Sequence, residues 1–197
     1  MRNFSEACLR NQQAIFEQLQ PWLKTATQVL EIGSGSGQHA EYFCRQLPDI
    51  LWQCSDRQMW LEALNENIKA MRLQNIVAPL ELDVDISADW PEQSYDLIYT
   101  ANSLHIMSWQ SVENLFAHLP NQLQLDGYFC CYGPMKYKGD FTSKSNANFD
   151  FCLKDRDPQS GIRDIEALQA LASHQHIHLV KDISMPANNQ LLIWQKT

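Results

Sequence analysis

The sequence lacks several features that would place it in a special class of protein. No apolar run approaches the roughly 18 residues that a membrane span requires, so no membrane segment is predicted. The six cysteines include no C-x-x-C pair and follow no secretory leader, which favours reduced thiols and a cytoplasmic protein. Lys and Arg number 15 against 23 Asp and Glu, and they are scattered. The formal net charge of -8 therefore disfavours a nucleic acid partner.

Glycine is scarce as well, but its few copies are unevenly placed. Three of the seven glycines, Gly33, Gly35 and Gly37, lie within five residues and directly follow the short apolar run QVLEI. A strand that leads into a glycine-rich turn and then a helix is typical of ligand sites at the carboxyl edge of a parallel sheet. Glycine accepts positive φ and lets the backbone approach a ligand. This loop, which includes Ser34, is the first candidate binding site.

Strand-like and helix-like segments alternate along most of the chain. Predicted strands cover residues 28–32, 50–54, 76–82, 95–101 and 127–133, and two final strands, 176–183 and 190–195, are predicted to form a hairpin. The alternation predicts an α/β fold, a doubly wound and mostly parallel seven-stranded sheet with a C-terminal antiparallel hairpin.

The length of the chain fits one domain, residues 1–197, opened by a leading helix within residues 1–24. Residues 134–163 are polar and carry few periodic apolar positions, which predicts a long connection. Long connections inside compact domains are commonly lids or binding loops. We therefore expect this segment to cover a substrate.

Two cofactors compete for the glycine loop. The dinucleotide fingerprint G-x-G-x-x-G requires glycine at position 38, where the chain has Gln38, so an NAD-dependent oxidoreductase is the weaker alternative. Glu31 stands two residues before the first glycine, and E-x-G-x-G-x-G resembles the loop of class I methyltransferases. In that family, which has a Rossmann-like fold, the loop holds the amino acid moiety of S-adenosyl-L-methionine. The resemblance implies this cofactor, with S-adenosyl-L-homocysteine as product.

Side chains at the ends of the next strands extend this candidate site. Asp56 follows the glycine loop by about twenty residues, at a strand end from which a carboxylate can accept bonds from both ribose hydroxyls, and Arg57 comes next. Class I methyltransferases commonly contact the adenine region from the position of Asp83, where Val84 would pack. Asn102, at the end of the fourth strand, is a candidate for cofactor or acceptor contact. The competing interpretation is a tight turn and a helix cap.

Several stretches resemble a more specific group, the methyltransferase-like family known as domain of unknown function 938, of the methyltransferase-like 26 type. The matching stretches are RN (Arg10, Asn11), VLEIGSGSGQHA, SDR (55–57), ANSLHI (101–106), YGP (132–134), TSKSNANFD (142–150), RD (163–164) and MPANN (185–189). The match covers nearly the whole chain, and SNANFD and MPANN are particular to this group. The resemblance implies a methyltransferase fold without naming a substrate.

Methyl transfer from a sulfonium mainly requires an aligned acceptor and exclusion of water. A base would help with a hydroxyl or a protonated amine, and His105, which follows the fourth strand, is the candidate. A histidine that only packs beneath the loop is the competing interpretation. Polar residues of the family-like stretches form a candidate acceptor-binding set: Arg10 and Asn11 from the leading helix, and Tyr132, Asn146, Asp150, Arg163 and Asn188 from predicted loops.

The sequence also narrows the partners. TANSLHI stands where enzymes that methylate amino groups of nucleic acid bases carry an N-P-P-aromatic tetrapeptide, which favours a small-molecule acceptor and leaves a protein acceptor open. His174, His176 and His178 alternate as on one strand face, but no Cys, Asp or Glu completes the set, so no metal is predicted. The predicted activity is methyl transfer; the alternative is a non-catalytic module that binds S-adenosylmethionine or a nucleotide.

Overall fold

The computed structural model describes all residues, 1–197. The helices are α1 (Glu6–Leu23), α2 (Gln38–Gln46), α3 (Gln58–Met71), α4 (Trp109–Gln122), α5 (Lys144–Arg156) and α6 (Ile165–Ser173). The strands are β1 (Gln28–Ile32), β2 (Leu51–Asp56), β3 (Ile76–Glu81), β4 (Tyr95–Ala101), β5 (Leu123–Gly133), β6 (Met135–Tyr137), β7 (Asp140–Phe141), β8 (Arg163–Asp164), β9 (Ile177–Met185) and β10 (Asn189–Lys196). Short 3₁₀ helices lie at Ser87–Asp89 and Pro186–Asn188.

The main sheet has seven strands in the order β3-β2-β1-β4-β5-β10-β9. β1 pairs in parallel with β2 and β4, and β2 pairs in parallel with β3. β10 is antiparallel to both β5 and β9, so the predicted C-terminal hairpin and the mostly parallel sheet are confirmed. The strand order reverses between β1 and β4, which is the switch point where α/β sheets bind ligands. None of the helices combines the length and apolar character that crossing a membrane would need.

Contacts within the chain group into two compact units, Met1–Thr100 and Ala101–Thr197. In the first unit, the ring of Phe43 from α2 lies with its centroid 5.6 Å from Phe16 of α1, 5.5 Å from Trp52 and 5.7 Å from Tyr99. Because edge-to-face aromatic packing fixes ring positions, this cluster sets α2, which begins at the glycine loop, against the sheet. The single-domain prediction stays a prediction.

The second unit has its own aromatic core. Phe116 of α4 lies edge-on to Phe129 of β5 and Trp194 of β10, at centroid distances of 5.5 and 5.9 Å. The rings of Phe129 and Trp194 stack across the antiparallel pair at 5.4 Å. All three side chains are buried, so they anchor the helix to the strands.

The prediction that residues 134–163 form a long connection without regular structure is wrong. The segment contains α5 and a small three-stranded sheet, β7-β6-β8. The buried face of α5 carries Asn146, Asp150 and Leu153, so two of its three buried positions are polar. An apolar stripe of helical period is therefore missing from the sequence even though the helix is present.

The three alternating histidines do not share a strand face. His174 caps the end of α6 and His176 has a φ of 55°, so only His178 lies in β9. The turn between α6 and β9 breaks the alternation that the sequence suggested.

Candidate functional site

The glycine loop connects β1 to α2, and all three of its glycines have positive φ: 71° for Gly33, 58° for Gly35 and 79° for Gly37. A Cβ added at Gly37 would lie 3.1 Å from Met71 Cε and 3.2 Å from Leu64 Cδ1, which is a tight contact, and the positive φ also disfavours any other residue there. A Cβ added at Gly35 would meet no atom within 4 Å. The loop is therefore open at Gly35, and its shape fits a ligand that approaches the backbone at this position.

Serine side chains fasten the loop to the end of β2. The Ser34 N–H donates to the Ser55 carbonyl at 2.9 Å, and the Ser55 N–H donates to Ser34 Oγ at 3.1 Å. Ser55 Oγ donates to the Glu31 carbonyl at 2.7 Å, which joins the two strand ends directly. These bonds hold the open face of the loop beside the residue that follows, Asp56.

Asp56 lies directly against the glycine loop. Its Oδ2 accepts the Gly35 N–H at 2.8 Å and its Oδ1 accepts the Arg57 N–H at 2.8 Å. Burial raises the pKa of Asp56, whereas these two N–H groups and the Arg57 charge act to lower it. Each carboxylate oxygen can accept more than one hydrogen bond, so the pair can still bind two hydroxyls. Arg57 itself is exposed.

The third strand ends earlier than predicted. β3 stops at Glu81, and Asp83 lies two residues beyond it in a turn. There its Oδ1 accepts the Asp85 N–H at 3.1 Å, and its own N–H donates to Asp89 Oδ2 at 3.1 Å. Val84 is buried. The roles predicted for Asp83 and Val84 in cofactor binding stay predictions.

Glu31 lies beneath the loop rather than on its open face, with 2% of its surface exposed. Its Oε2 accepts the Trp52 Nε1–H at 3.0 Å, and its Oε1 lies 3.9 Å from His39 Nδ1. Burial raises the pKa of Glu31 to about 7 and lowers that of His39 to about 4. Between these values both side chains are uncharged, so the contact is not an ion pair. Glu31 supports the loop from inside; direct cofactor contact stays a prediction.

Sequence reasoning missed two amides that tie the N-terminus to the loop. Gln38 accepts the Ser5 N–H at 2.7 Å, donates to the Ser5 carbonyl at 3.2 Å and accepts from Ser36 Oγ at 2.7 Å. Asn67 exchanges two bonds of 2.8 Å with the Arg2 backbone and donates to the Ser36 carbonyl at 3.0 Å. Gln38 stands in the sequence directly after the glycine loop, and this adjacency is the signal for its role.

Two predicted acceptor residues, Arg10 and Asn11, belong to this first unit and lie in α1. Arg10 is exposed on α1 and lies 3.9 Å from Glu6. Asn11 Oδ1 lies 2.8 Å from His39 Nε2, so Asn11 helps to orient the buried imidazole. Both residues sit within the leading helix.

In the second unit, the chain turns sharply after β4. Asn102 has a φ of 56°, and its N–H donates to the Tyr132 carbonyl at 2.8 Å. His105 is 4% exposed and lies edge-on to Phe149 at 5.3 Å, with Gly133 close to its ring. Burial and then the Arg163 charge lower the pKa of His105 to about 4. At neutral pH its imidazole is uncharged and can accept a hydrogen bond.

The remaining predicted acceptor residues do not lie on free loops, and that placement is wrong. Tyr132 is buried in β5, and Asn146 and Asp150 are buried in α5. Asn146 Nδ2 donates to Thr142 Oγ1 at 2.9 Å and to the Asn188 carbonyl at 2.8 Å. Side chains that satisfy nearby backbone groups in this way hold the segment together.

Arg163 and Asn188 are also bound within the second unit. Arg163, in β8, donates from Nε to the Leu104 carbonyl at 2.9 Å. Asn188 lies in the second 3₁₀ helix with a φ of 57°, and its Nδ2 donates to Ser145 Oγ at 3.2 Å. Contact of either side chain with an acceptor stays a prediction.

The strand order and the glycine loop together define a fold of the class I methyltransferase type. Solved structures share it: human N-acetylserotonin methyltransferase with SAM (TM-score 0.82, 14% identity, 97% of this chain and 53% of that chain) and an O-methyltransferase family protein from Burkholderia thailandensis (0.78, 15%, 94% and 58%). An O-methyltransferase family 2 protein from Planctomyces limnophilus in complex with apigenin is a third (0.74, 17%, 86% and 51%). The chain spans little more than half the length of these proteins.

The family is defined by a separate match. The model of the family described as protein of unknown function (DUF938) matches residues 2–196. The chain belongs to this family.

Proposed function

We propose that the chain catalyses S-adenosylmethionine-dependent methyl transfer to a small-molecule acceptor. The observation that carries the proposal is the open backbone at Gly35 beside the buried Asp56 carboxylate. This arrangement lies at the end of β1, next to the switch point of the sheet. The fold shared with solved methyltransferases supports the same activity.

Each part of the first unit has a role in this proposal. Asp56 would accept hydrogen bonds from the ribose hydroxyls, and the backbone at Gly33, Ser34 and Gly35 would hold the amino acid moiety. Asp83 and Val84 would hold the adenine region. When bound, S-adenosylmethionine supplies an electrophilic methyl group on a sulfonium. The chain's task is then to orient the acceptor and exclude water, which accounts for most of the catalysis in such a displacement.

The acceptor class is inferred from two lines of support. The acidic charge of the chain disfavours nucleic acid. The names of two structural neighbours mention small molecules, N-acetylserotonin and apigenin, and this favours a small-molecule acceptor here. We further infer membership of the methyltransferase-like 26 type and a cytoplasmic location; a protein acceptor is the second choice.

His105 is the proposed proton acceptor for an acceptor hydroxyl. The lowered pKa of His105, about 4, keeps its imidazole neutral at physiological pH, so one ring nitrogen is unprotonated and can accept a proton. The same low pKa makes it a weak base, so its main contribution is to orient the hydroxyl and take its proton late in the transfer.

Incubation of the protein with methyl-labelled S-adenosylmethionine and a metabolite extract tests this proposal. Label should enter the small-molecule fraction, and His105→Ala should slow its entry by about 100-fold. The exposed His178 supplies the matched control, His178→Ala, which should keep the wild-type rate. Label confined to protein would contradict the acceptor class. No transfer at all, with the cofactor still bound, would favour the non-catalytic module.

A further inference from the structure

Four consecutive backbone carbonyls of the loop after β4 accept hydrogen bonds from one short segment. This segment, Ser160–Arg163, is called the carbonyl clamp below. Arg163 donates from Nε to Leu104 at 2.9 Å and from Nη2 to Met107. The Gly161 N–H donates to His105 at 2.9 Å, and Ser160 Oγ donates to Ile106 at 2.8 Å.

The guanidinium of Arg163 is committed to this task. Besides its two bonds to the loop, its Nη2 donates to the Gln159 carbonyl at 3.1 Å, and its Cζ lies 5.9 Å from the centroid of the Trp109 ring. A planar fork can serve several carbonyls at fixed angles, whereas a lysine ammonium is a single compact donor. Lysine at this position would therefore not reproduce the set of hydrogen bonds that the guanidinium of Arg163 makes to these carbonyls.

The carbonyl clamp is itself fixed to α5. Ile162 donates its N–H to Asp150 Oδ1 at 2.7 Å, and Lys154 Nζ lies 2.7 Å from Asp150 Oδ2. A Cβ added at Gly161 would lie 2.9 Å from Lys154 Cε and 3.0 Å from Asp150 Oδ1. The φ of Gly161, 151°, also strains any other residue at this position, so the loop that carries His105 is held by a segment with little freedom of its own.

The ring of His105 is held from two further sides. Phe149 of α5 packs edge-on against it, and the Gly133 position at the end of β5 lies beside Nδ1. The charged group that acts on the pKa of His105 is Arg163 from β8, whereas the Asp150–Lys154 pair from α5 lies against Gly161. Backbone and ring are thus restrained independently.

We propose that Arg163 is a positioning residue that holds the Leu104–Met107 loop, and through it His105, in one conformation. It does so from β8 without contact to the acceptor, which replaces the acceptor-binding role predicted from sequence. The catalytic consequence rests on the proposed function, because it requires His105 to face a methyl acceptor. The restraint of the loop by Arg163 is independent of the proposed function.

Amide exchange and a histidine titration by NMR test the proposal on the full chain. In Arg163→Gln the Gly161 amide should exchange about tenfold faster, and the pKa of His105 should rise toward its ordinary value. Arg163→Lys keeps the charge, so the exchange should still accelerate while the pKa rises less. The exposed Arg156 supplies the control, Arg156→Gln, which should change neither signal.

If Arg163→Gln does not fold, Ser160→Ala removes one bond of the carbonyl clamp and keeps the cation. It should speed Gly161 exchange and leave the pKa of His105 unchanged. Wild-type exchange and titration in a folded Arg163→Gln would overturn the proposal. Calorimetry with S-adenosylhomocysteine on the same proteins tests the proposed function separately. If the wild type did not bind S-adenosylhomocysteine, the proposed function would fail, while the amide exchange result for the loop would still stand.

Discussion

At the residue scale, a layer of buried polar side chains beneath the glycine loop sets the properties of the site. Glu31, His39 and Trp52 lie in this layer, and each is almost fully buried. A carboxyl group and an imidazole in such surroundings favour their neutral forms, because burial penalises charge. The loop above therefore rests on a layer whose charge state depends on pH.

This layer predicts a pH-dependent stability that Glu31→Gln should reveal. Below about pH 4.5 Glu31 is protonated in both the folded and the unfolded chain, so its burial does not lower the unfolding free energy. Between about pH 4.5 and 7 only the unfolded chain ionises, so the wild type loses up to about 3 kcal/mol of unfolding free energy as the pH rises across this range. The glutamine of the variant does not titrate, so the unfolding free energy of the variant should rise relative to that of the wild type as the pH increases across this range.

Urea denaturation of both proteins at several pH values measures that difference. His39 acts with the opposite sign, since its folded pKa is lowered from 6.5 to about 4, and its contribution is lost as pH falls through that range. Because both proteins carry His39, its effect cancels when they are subtracted. A difference that stays constant across the pH range would contradict the burial of an uncharged Glu31.

At the element scale, α5 shows what the sequence could and could not reveal. The helix begins at a Ser143 cap, where Oγ accepts the Asn146 N–H at 3.1 Å, and such a cap is readable from sequence. The buried Asn146 and Asp150 obscured it, because they interrupt the apolar periodicity on which helix prediction depends. Their long-range partners, Asn188 and Ile162, could not be inferred from local pattern.

Asn146→Ala tests whether this polar face is structural. The change removes the two hydrogen bonds that the buried Asn146 side chain donates to Thr142 and Asn188, and it should lower the unfolding free energy by about 1–3 kcal/mol. Asn148, exposed on the same helix, supplies the control, and Asn148→Ala should stay within about 0.5 kcal/mol. Thermal or urea unfolding measures both. Equal stabilities would instead favour the predicted acceptor role of Asn146.

At the scale of the whole molecule, the main sheet was predictable and the placement of several site residues was not. The bounds of β1 and β4, 28–32 and 95–101, match the prediction, because each is a compact apolar run with a clear turn signal. The mostly parallel character of the sheet followed from the βα alternation. The Gly35–Asp56 contact could be expected from adjacent strand ends.

Other parts of the site depend on distant contacts that no local pattern encodes. The sequence marks Arg163 as a candidate for acceptor binding, and its hydrogen bonds to carbonyls 104 and 107 depend on how the segment before it folds. The loop motif marks Glu31 as a candidate for cofactor binding, and its burial beside Trp52 is visible only in the structure. Motifs therefore indicate candidate residues, whereas the structure shows what those residues touch.

Calorimetry with S-adenosylhomocysteine tests the central claim most directly, on the wild type, Gly35→Ala, Asp56→Ala and Asp49→Ala. Asp49 is exposed and precedes β2, at the opposite end from Asp56, so its variant serves as control. The wild type and the control should bind equally, whereas the Gly35 and Asp56 variants should bind at least about tenfold more weakly, through an obstructed loop and lost ribose bonds. Equal affinity in all four proteins, or no binding by the wild type, would contradict the account.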